Sequence, residues 1–286
     1  MILKTSLLYG IFAVIEARNG NFDKYCEIQS DDVGSQCFRK EIITSLPHSP
    51  NQLAVDRLTN HLYFSFDSGQ GEYVPAKMQI GNDTIMVLKG VKDAFAIASD
   101  IDTGEIYFGG SHGIYRYTPK AKKLRRLAID NLDIWWLVVN KNVIYFIKFP
   151  SLSAYKYENR TIKFMSQLQS HSVQQFVYDH DGNIFFINNT GLYGIKNGED
   201  NAILIGDNPR FLGMATDNNG VVYLCSEDGI FKMTKVVQKL KRVINIQGIL
   251  GITFDKDNNI IYSDSHDLVR LFPVTKENYF IGSHEY

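Results

Sequence analysis

The 286-residue chain contains only three cysteines and two tryptophans, and its 30 basic and 31 acidic side chains leave a net charge of −1. So few cysteines exclude a disulfide-dense scaffold and a zinc site built mainly from thiolates. Because basic residues are not in excess, the overall charge predicts no binding to nucleic acid or to an anionic membrane. Beyond the first residues no segment approaches 18 consecutive apolar residues, so the sequence predicts no membrane-spanning helix.

What the chain has in abundance is a repeated pattern. An apolar-aromatic-apolar strand core, preceded by an acidic or amide turn residue, occurs six times, and the central aromatics are 38 to 44 residues apart. These aromatics are Tyr63, Tyr107, Tyr145, Phe185, Tyr223 and Tyr262. Repeats of this length that are rich in β-branched and aromatic residues favour a propeller. We therefore predict an all-β fold, a six-bladed β-propeller of four-stranded antiparallel blades.

The sequence divides into three parts. Residues 1–17 have a positive start, an apolar run and a small residue at the end, which predicts a signal peptide and a secreted, extracellular protein. Residues 18–50 form an N-terminal segment in which we predict a Cys26–Cys37 disulfide and a strand over Glu41 to Leu46 that completes blade six and closes the ring. Residues 51–286 form the propeller, and Tyr279 to Ile281 is the alternative closing strand.

Antiparallel blades sort the loops onto two faces of the ring. The turns between first and second strands lie on one face, which we call the far face. The segments leading into the first strands, together with the turns between second and third strands, lie on the opposite face, which we call the mouth face. Because the mouth face gathers side chains from all six blades at the channel opening, we expect a ligand site there.

Several motifs that suggest metal or catalytic chemistry have a simpler interpretation. The run from Asp255 to Asn259 resembles the opening of a calcium loop, but Ile260 and His266 stand where such a loop needs glycine and a bidentate carboxylate. Its acidic residues are better explained as hairpin turns. The run from Gly109 to Gly113 matches a nucleophile elbow, but it joins two antiparallel strands and is therefore interpreted as a turn. We predict no catalytic residue, no metal site and no cofactor.

Aromatic and polar side chains cluster where the chain enters the first strands. The candidate ligand-binding residues are Lys92, Asp93, Phe95, Asp133, Trp135, Trp136, Gln174, Arg210 and Phe211. Strand alternation predicts that one of the two tryptophans packs between blades while the other faces the channel, unless both belong to the core. A flat aromatic wall would stack on a planar ligand, with Arg210 or Lys92 pairing an anionic group.

Three sequons are consistent with secretion and predict glycosylation at Asn82, Asn159 and Asn188. Asn82 and Asn159 fall in far-face turns. Asn188 falls in a mouth-face turn, where a glycan would obstruct a ligand.

Three long runs carry a resemblance to a known family. Asp67 to Tyr73 (DSGQGEY), Leu88 to Ala98 (LKGVKDAFAIA) and Asn131 to Leu137 (NLDIWWL) resemble the insect ommochrome-binding proteins, the yellow chromoproteins of moth haemolymph. The resemblance implies a secreted haemolymph carrier of a planar phenoxazinone pigment made from tryptophan, and we expect it to be a monomer. In the predicted site, Asp93 or Asp133 would then receive the amine of the pigment.

Two other classes of function remain open on the sequence. Secreted six-bladed propellers of the gluconolactonase type hydrolyse lactones with calcium at the channel mouth. Here the segments leading into first strands supply two carboxylates, Asp93 and Asp133, but Arg210 in the same ring does not suit a cation site. The third class is a protein-interaction propeller.

Overall fold

The computed structural model describes residues 26–31, 36–82, 84–129, 132–234 and 239–274. These residues form five four-stranded sheets and one five-stranded sheet. The first strand of each sheet contacts the first strand of the next, and the sixth contacts the first, so the sheets stand in a closed ring. The predicted six-bladed β-propeller is confirmed. The predicted signal peptide and the alternative closing strand at Tyr279 to Ile281 lie outside the described residues.

The first five blades are each one continuous stretch of chain with the strands in sequence order from the channel outward. Blade 1 contains β3 (Pro50–Asp56), β4 (His61–Asp67), β5 (Tyr73–Gln79) and β6 (Met86–Val87). Blade 2 contains β7 (Ala96–Ser99), β8 (Ile106–Gly110), β9 (Gly113–Thr118) and β10 (Lys123–Arg126). Blade 3 contains β11 (Ile134–Asn140), β12 (Val143–Lys148), β13 (Ser153–Glu158) and β14 (Thr161–Phe164).

Blades 4 to 6 repeat this plan, with the N-terminal strands in blade 6. Blade 4 contains β15 (Gln175–Tyr178), β16 (Ile184–Asn188), β17 (Gly191–Ile195) and β18 (Ala202–Gly206). Blade 5 contains β19 (Phe211–Thr216), β20 (Val222–Ser226), β21 (Gly229–Met233) and β22 (Leu240–Ile244). Blade 6 contains β23 (Gly251–Phe254), β24 (Ile260–Ser263), β25 (Asp267–Pro273), β2 (Cys37–Ser45) and β1 (Ile28–Gln29). Short 3-10 helices cover Pro119–Ala121 and Ser166–Leu168.

The ring is closed by an N-terminal strand, as the sequence predicted. The strand β2 pairs antiparallel with β25, and it begins four residues earlier than expected, at Cys37. The strand β1 adds to the outer edge of β2, and a disulfide joins Cys26 to Cys37. Ser30 also forms a bridge with Ile244 of blade 5. The N-terminal segment therefore covers the edge that blade 6 would otherwise expose.

The blades pack through apolar side chains on both faces of their middle strands. Four of the six central aromatics, Tyr63, Tyr107, Phe185 and Tyr262, are buried, whereas Tyr145 and Tyr223 are half-buried. Tyr63 and the neighbouring strand residues Phe64, Phe108, Phe146 and Phe186 are fully inaccessible to solvent. The third cysteine, Cys225, is a buried free thiol, as expected. Because each blade buries both faces against its neighbours, the buried side chains form five apolar clusters between adjacent blades.

The acidic turns are hairpin turns. Asp217 Oδ1 accepts hydrogen bonds from the backbone N–H groups of Asn219 and Val221, both at 2.8 Å. Asp255 Oδ1 accepts in the same way from Asp257 (2.9 Å) and Asn259 (2.8 Å). Each carboxylate stabilises its own turn by accepting backbone hydrogen bonds, as the sequence predicted for hairpin turns. Within the described ranges, no group of three or more His, Cys, Asp or Glu residues could hold a metal ion.

Candidate functional site at the mouth of the channel

The first strands of all six blades line the central channel. The cavity inside it is about 150 Å³ and is bounded mainly by apolar side chains and backbone. Small-molecule sites usually enclose about 300–1,000 Å³. This cavity is smaller than a usual small-molecule site, which favours the surfaces around the channel openings as the place for a fused-ring ligand.

Hydrogen bonds join the blades across the far face. Arg57, from the β3–β4 turn, donates from its guanidinium to the carbonyl of Thr216 in blade 5 at 3.2 Å. Burial lowers the pKa of Arg57, while nearby Asp217 acts in the opposite direction. The side-chain amide of Asn218 joins the turns of blades 5 and 6 by donating to two carbonyls of the β23–β24 turn, at 3.0 Å each.

The mouth face carries a row of four aromatic rings across blades 1, 2 and 3. Tyr73 meets Phe95 edge to face at a centroid distance of 5.2 Å. Phe95 stacks on Trp135 at 4.5 Å, and Trp135 stacks on Phe149 at 5.7 Å. We call these four residues the aromatic row. Offset stacks and edge-to-face contacts at these distances are favourable geometries for aromatic rings.

A β-bulge places Trp135 in this row. The register of β11 against β12 shifts between Ile134, opposite Lys148, and Trp136, opposite Ile147. Trp135 is therefore the extra residue of the bulge. Bulges reorient a side chain and recur next to functional sites. As a result Ile134 and Trp136 are both buried, whereas Trp135 lies half-buried at the mouth.

Two carboxylates flank the aromatic row. Asp93 has a left-handed backbone (φ 53°), and its side chain accepts a hydrogen bond from the Tyr73 N–H at 3.4 Å. Its carbonyl would lie only 2.0 Å from a β-carbon at Gly110, so glycine is required there. Burial and the neighbouring Asp93 raise the pKa of Asp133, and His112 lowers it. The row is thus bordered by closely spaced negative charges.

The other predicted site residues are not gathered with this group. Trp136 and Phe211 are buried; the indole N–H of Trp136 donates to the Phe176 carbonyl at 2.8 Å, and Phe211 meets Phe231 edge to face. Gln174 donates its amide to Asn189 at 2.6 Å. Arg210 is exposed, two blades from Trp135, and Lys92 is exposed beside Asp93. The structure therefore brings together Asp93, Phe95, Asp133 and Trp135.

Sequence reasoning missed Tyr73 and Phe149. Both lie at turns between second and third strands, Tyr73 at the start of β5 and Phe149 just after β12. The blade topology predicts that such turns share the mouth face with the segments leading into the first strands. A search for aromatics in those turns would have found both residues.

Two of the three sequon asparagines are exposed on the far face. Asn82 and Asn159 lie in turns there, and each side chain is accessible. Asn188 lies half-buried on the mouth face. Its side-chain oxygen Oδ1 accepts hydrogen bonds from the backbone N–H and the hydroxyl of Thr190, both at 2.8 Å. The placement predicted for all three residues agrees with the turns they occupy.

By fold and site, the molecule is a six-bladed β-propeller with an aromatic and acidic surface at one end of its channel. In sequence it is similar to the ommochrome-binding protein of Manduca sexta, with 25% identity over 250 residues, covering 85% of this chain and 91% of that protein. The resemblance carried by the three sequence runs is confirmed. No protein-family profile matches the chain.

Solved structures share the architecture. A gluconolactonase from Xanthomonas campestris superimposes with a TM-score of 0.71 at 14% identity, over 87% of this chain and 96% of that one. The WD40 β-propeller domain of Doa1 gives a TM-score of 0.57 at 14% identity, over 84% and 98% of the two chains. At such identities the similarity concerns the fold alone, because propellers with unrelated activities share it. No helix in the described part of the chain is long and apolar enough to cross a membrane.

Proposed function

We propose that this protein is a secreted carrier that binds an ommochrome, a planar phenoxazinone pigment, at the mouth of the propeller. The observation that carries the proposal is the aromatic row with its flanking carboxylates. Similarity to a protein named for ommochrome binding supports a binding function and supplies the ligand class. The small volume of the channel supports a site at its mouth rather than inside it.

The chemistry of the row suits such a pigment. Its rings provide flat apolar surface for the aromatic plane of the pigment, and stacked pairs are worth about 0.5–1.5 kcal/mol beyond the area they bury. Asp93 and Asp133 would pair with an ammonium group of the ligand. Lys92 is next to Asp93 in the chain, so we assign Lys92, rather than the more distant Arg210, to pair with a carboxylate of the ligand. Trp136 and Phe211 are buried and have no part in the proposed site.

The direct test is a titration with xanthommatin followed by visible absorbance. We expect a saturable band shift with wild-type protein and at least about a tenfold weaker affinity for Trp135→Ala. Phe164→Ala is the matched control, because Phe164 is an exposed aromatic in an outer strand whose ring contacts Tyr155 in a tilted arrangement at a centroid distance of 4.5 Å. An absent shift with wild-type protein, or equal loss in the control, would refute the proposal.

A second candidate function is lactone hydrolysis. The gluconolactonase superposition favours it, although only at the level of the fold. Asp93 and Asp133 would be the carboxylates available at the mouth. Hydrolysis of glucono-δ-lactone by purified protein, dependent on calcium and lost in Asp133→Asn, would establish an enzyme; no turnover with or without calcium would leave the carrier proposal standing.

The carrier proposal includes export. The disulfide between Cys26 and Cys37 supports it, since such bonds persist in oxidising compartments. Expression of the full chain in insect cells should deliver mature protein to the medium, cleaved near Arg18. We expect glycans at the exposed Asn82 and Asn159, detected by mass spectrometry before and after enzymatic deglycosylation. Retention of the intact chain inside the cells would contradict export.

A further inference from the structure

Two of the three ring contacts in the aromatic row are stacks, and they differ in centroid distance. Phe95 and Phe149 both stack on Trp135, at 4.5 and 5.7 Å, with interplanar angles of 24° and 27°. Among the described residues these two phenylalanines make no ring contact with each other, so they lie on opposite faces of the indole. Trp135 is therefore the middle ring of a sandwich, and a ligand that stacks on it must enter on one side.

The gap between Phe95 and Trp135 is closed and braced. Its rings are already at stacking distance, and Tyr73 holds Phe95 from the other side through an edge-to-face contact. The backbone is fixed as well, because the N–H of Ala94 donates to the Tyr73 carbonyl at 2.9 Å and Ala94 is fully buried. Opening this gap would break contacts in two blades.

The stack of Trp135 on Phe149 has the longer centroid distance, and one of its two rings is on an exposed side chain. Phe149 is 43% exposed and lies in the turn between β12 and β13. A planar ligand needs ring faces about 7–8 Å apart, since carbon atoms in contact are separated by about 3.5–4.0 Å. Since rings that stack in contact are about 3.5–4.0 Å apart, Phe149 would have to move outward by up to about 4 Å to admit a ligand, which an exposed side chain achieves by changing rotamer.

An acidic group borders this same stack. The carbonyl of Asp133 accepts a hydrogen bond from the N–H of Phe149 at 2.9 Å, which ties the start of β11 to the turn that carries Phe149. Ile134 pairs with Lys148, so Asp133 and Phe149 are opposite each other at the end of the β11–β12 pair. Opposite residues in an antiparallel pair project their side chains from the same face, which places the Asp133 carboxylate beside Phe149. A ligand between the two rings would meet a carboxylate at its edge.

We propose that the space between Trp135 and Phe149 is the ligand slot, and that it takes one flat fused-ring system bearing a protonated amine. The ring is clamped between the indole and Phe149, and the amine pairs with Asp133. The inference rests on the proposed function and refines it, because it assigns Phe149 as a binding residue and makes a cationic group a requirement. Phe95 and Tyr73 act as a support that positions Trp135.

The test for the clamp is the affinity of Phe149→Ala for xanthommatin, with Phe164→Ala as control. We expect Phe149→Ala to weaken binding about 5- to 30-fold, as loss of one aromatic stacking partner does, and the control to bind as wild type. A clamp also predicts that Phe149→Leu weakens binding, because leucine keeps apolar area without a flat face. If Phe149 instead merely covers Trp135 in the free protein, Phe149→Ala will bind equally or more tightly, and the inference is overturned.

The test for the amine uses two phenoxazinones. Xanthommatin carries an amino-acid side chain, whereas resorufin is a bare anionic phenoxazinone. We expect wild-type protein to bind xanthommatin more tightly than resorufin. We expect Asp133→Asn to lose this preference while its unfolding temperature is no lower than that of the wild type. Equal affinity for both dyes in wild type would overturn the amine requirement. If wild type binds neither dye, the proposed function fails together with the slot; if it binds but Phe149→Ala is unaffected, the slot alone fails.

Discussion

The two adjacent tryptophans should separate stability from ligand binding. Trp136 is 8% exposed, and its indole N–H donates to the Phe176 carbonyl at 2.8 Å. Trp135 is half-buried at the mouth, and no hydrogen bond of its side chain occurs within the described residues. We therefore expect Trp136→Phe to reduce stability and Trp135→Phe to leave it nearly unchanged.

The magnitude follows from the contacts. Phenylalanine at position 136 cannot donate, and a buried carbonyl left unpaired costs about 1–3 kcal/mol. The smaller ring also leaves a void in the core between blades 3 and 4, and together we expect a loss of about 2–4 kcal/mol in the free energy of unfolding. For a domain of this size that corresponds to a fall in Tm of about 3–7 °C. Trp135→Phe keeps a stacked ring and should cost less than about 1 kcal/mol.

The assay is urea denaturation followed by far-UV circular dichroism, because both substitutions remove a fluorophore. Xanthommatin titration of the same two variants completes the comparison, and only Trp135→Phe should weaken binding. Equal stability of Trp136→Phe and wild type would refute the assignment of Trp136 to the core. A loss of binding confined to Trp136→Phe would refute the site itself.

Three further substitutions test the fold and its charges. Replacing Cys26 and Cys37 by serine should lower the free energy of unfolding by about 3 kcal/mol, measured by calorimetry in the absence of reductant, since the bond closes a short loop at the ring seam. Asp255→Ala removes a fully buried carboxylate that pairs with an arginine of β25, and should cost about 3–5 kcal/mol, whereas the exposed Asp257→Ala should not. Asp133→Asn should stabilise the protein at neutral pH. Because folding raises the pKa of Asp133, the free energy of unfolding of the wild type falls as the pH rises from the ordinary pKa of aspartate to the raised one. The stabilisation by asparagine should therefore vanish at pH values below the ordinary pKa of aspartate, where the carboxyl is protonated in both states. Equal stabilisation at all pH values would contradict that origin.

The repeat could be predicted because each blade is specified locally. The residues from Phe211 to Ile244 carry their own turns and strand alternation, and they form all four strands of blade 5. Closure of the ring could also be anticipated, because a three-stranded last repeat leaves one position for an N-terminal strand. That strand begins at Cys37 because it pairs with β25. The two strands are far apart in the chain, so no local sequence pattern predicts where their pairing starts.

The candidate site was predicted only in part. Asp93, Phe95, Asp133 and Trp135 are gathered as expected, but Trp136 and Phe211 are buried in the core. Alternation alone could not say which tryptophan lies inward, because the bulge at Trp135 interrupts the alternation. Phe149 and Tyr73 were missed because turns distant in sequence meet only when neighbouring blades pack.

The sequence by itself determined the architecture of this protein: the strand period, the hairpin turns and the number of blades, all of which depend on residues close together in the chain. Tertiary structure decided which side chains meet at the mouth. The register of β11 against β12 turned Trp135 outward, and the packing of three blades placed Tyr73, Phe95 and Phe149 beside it. Contacts between blades form only when the ring is closed, so they cannot be predicted from the sequence of a single repeat.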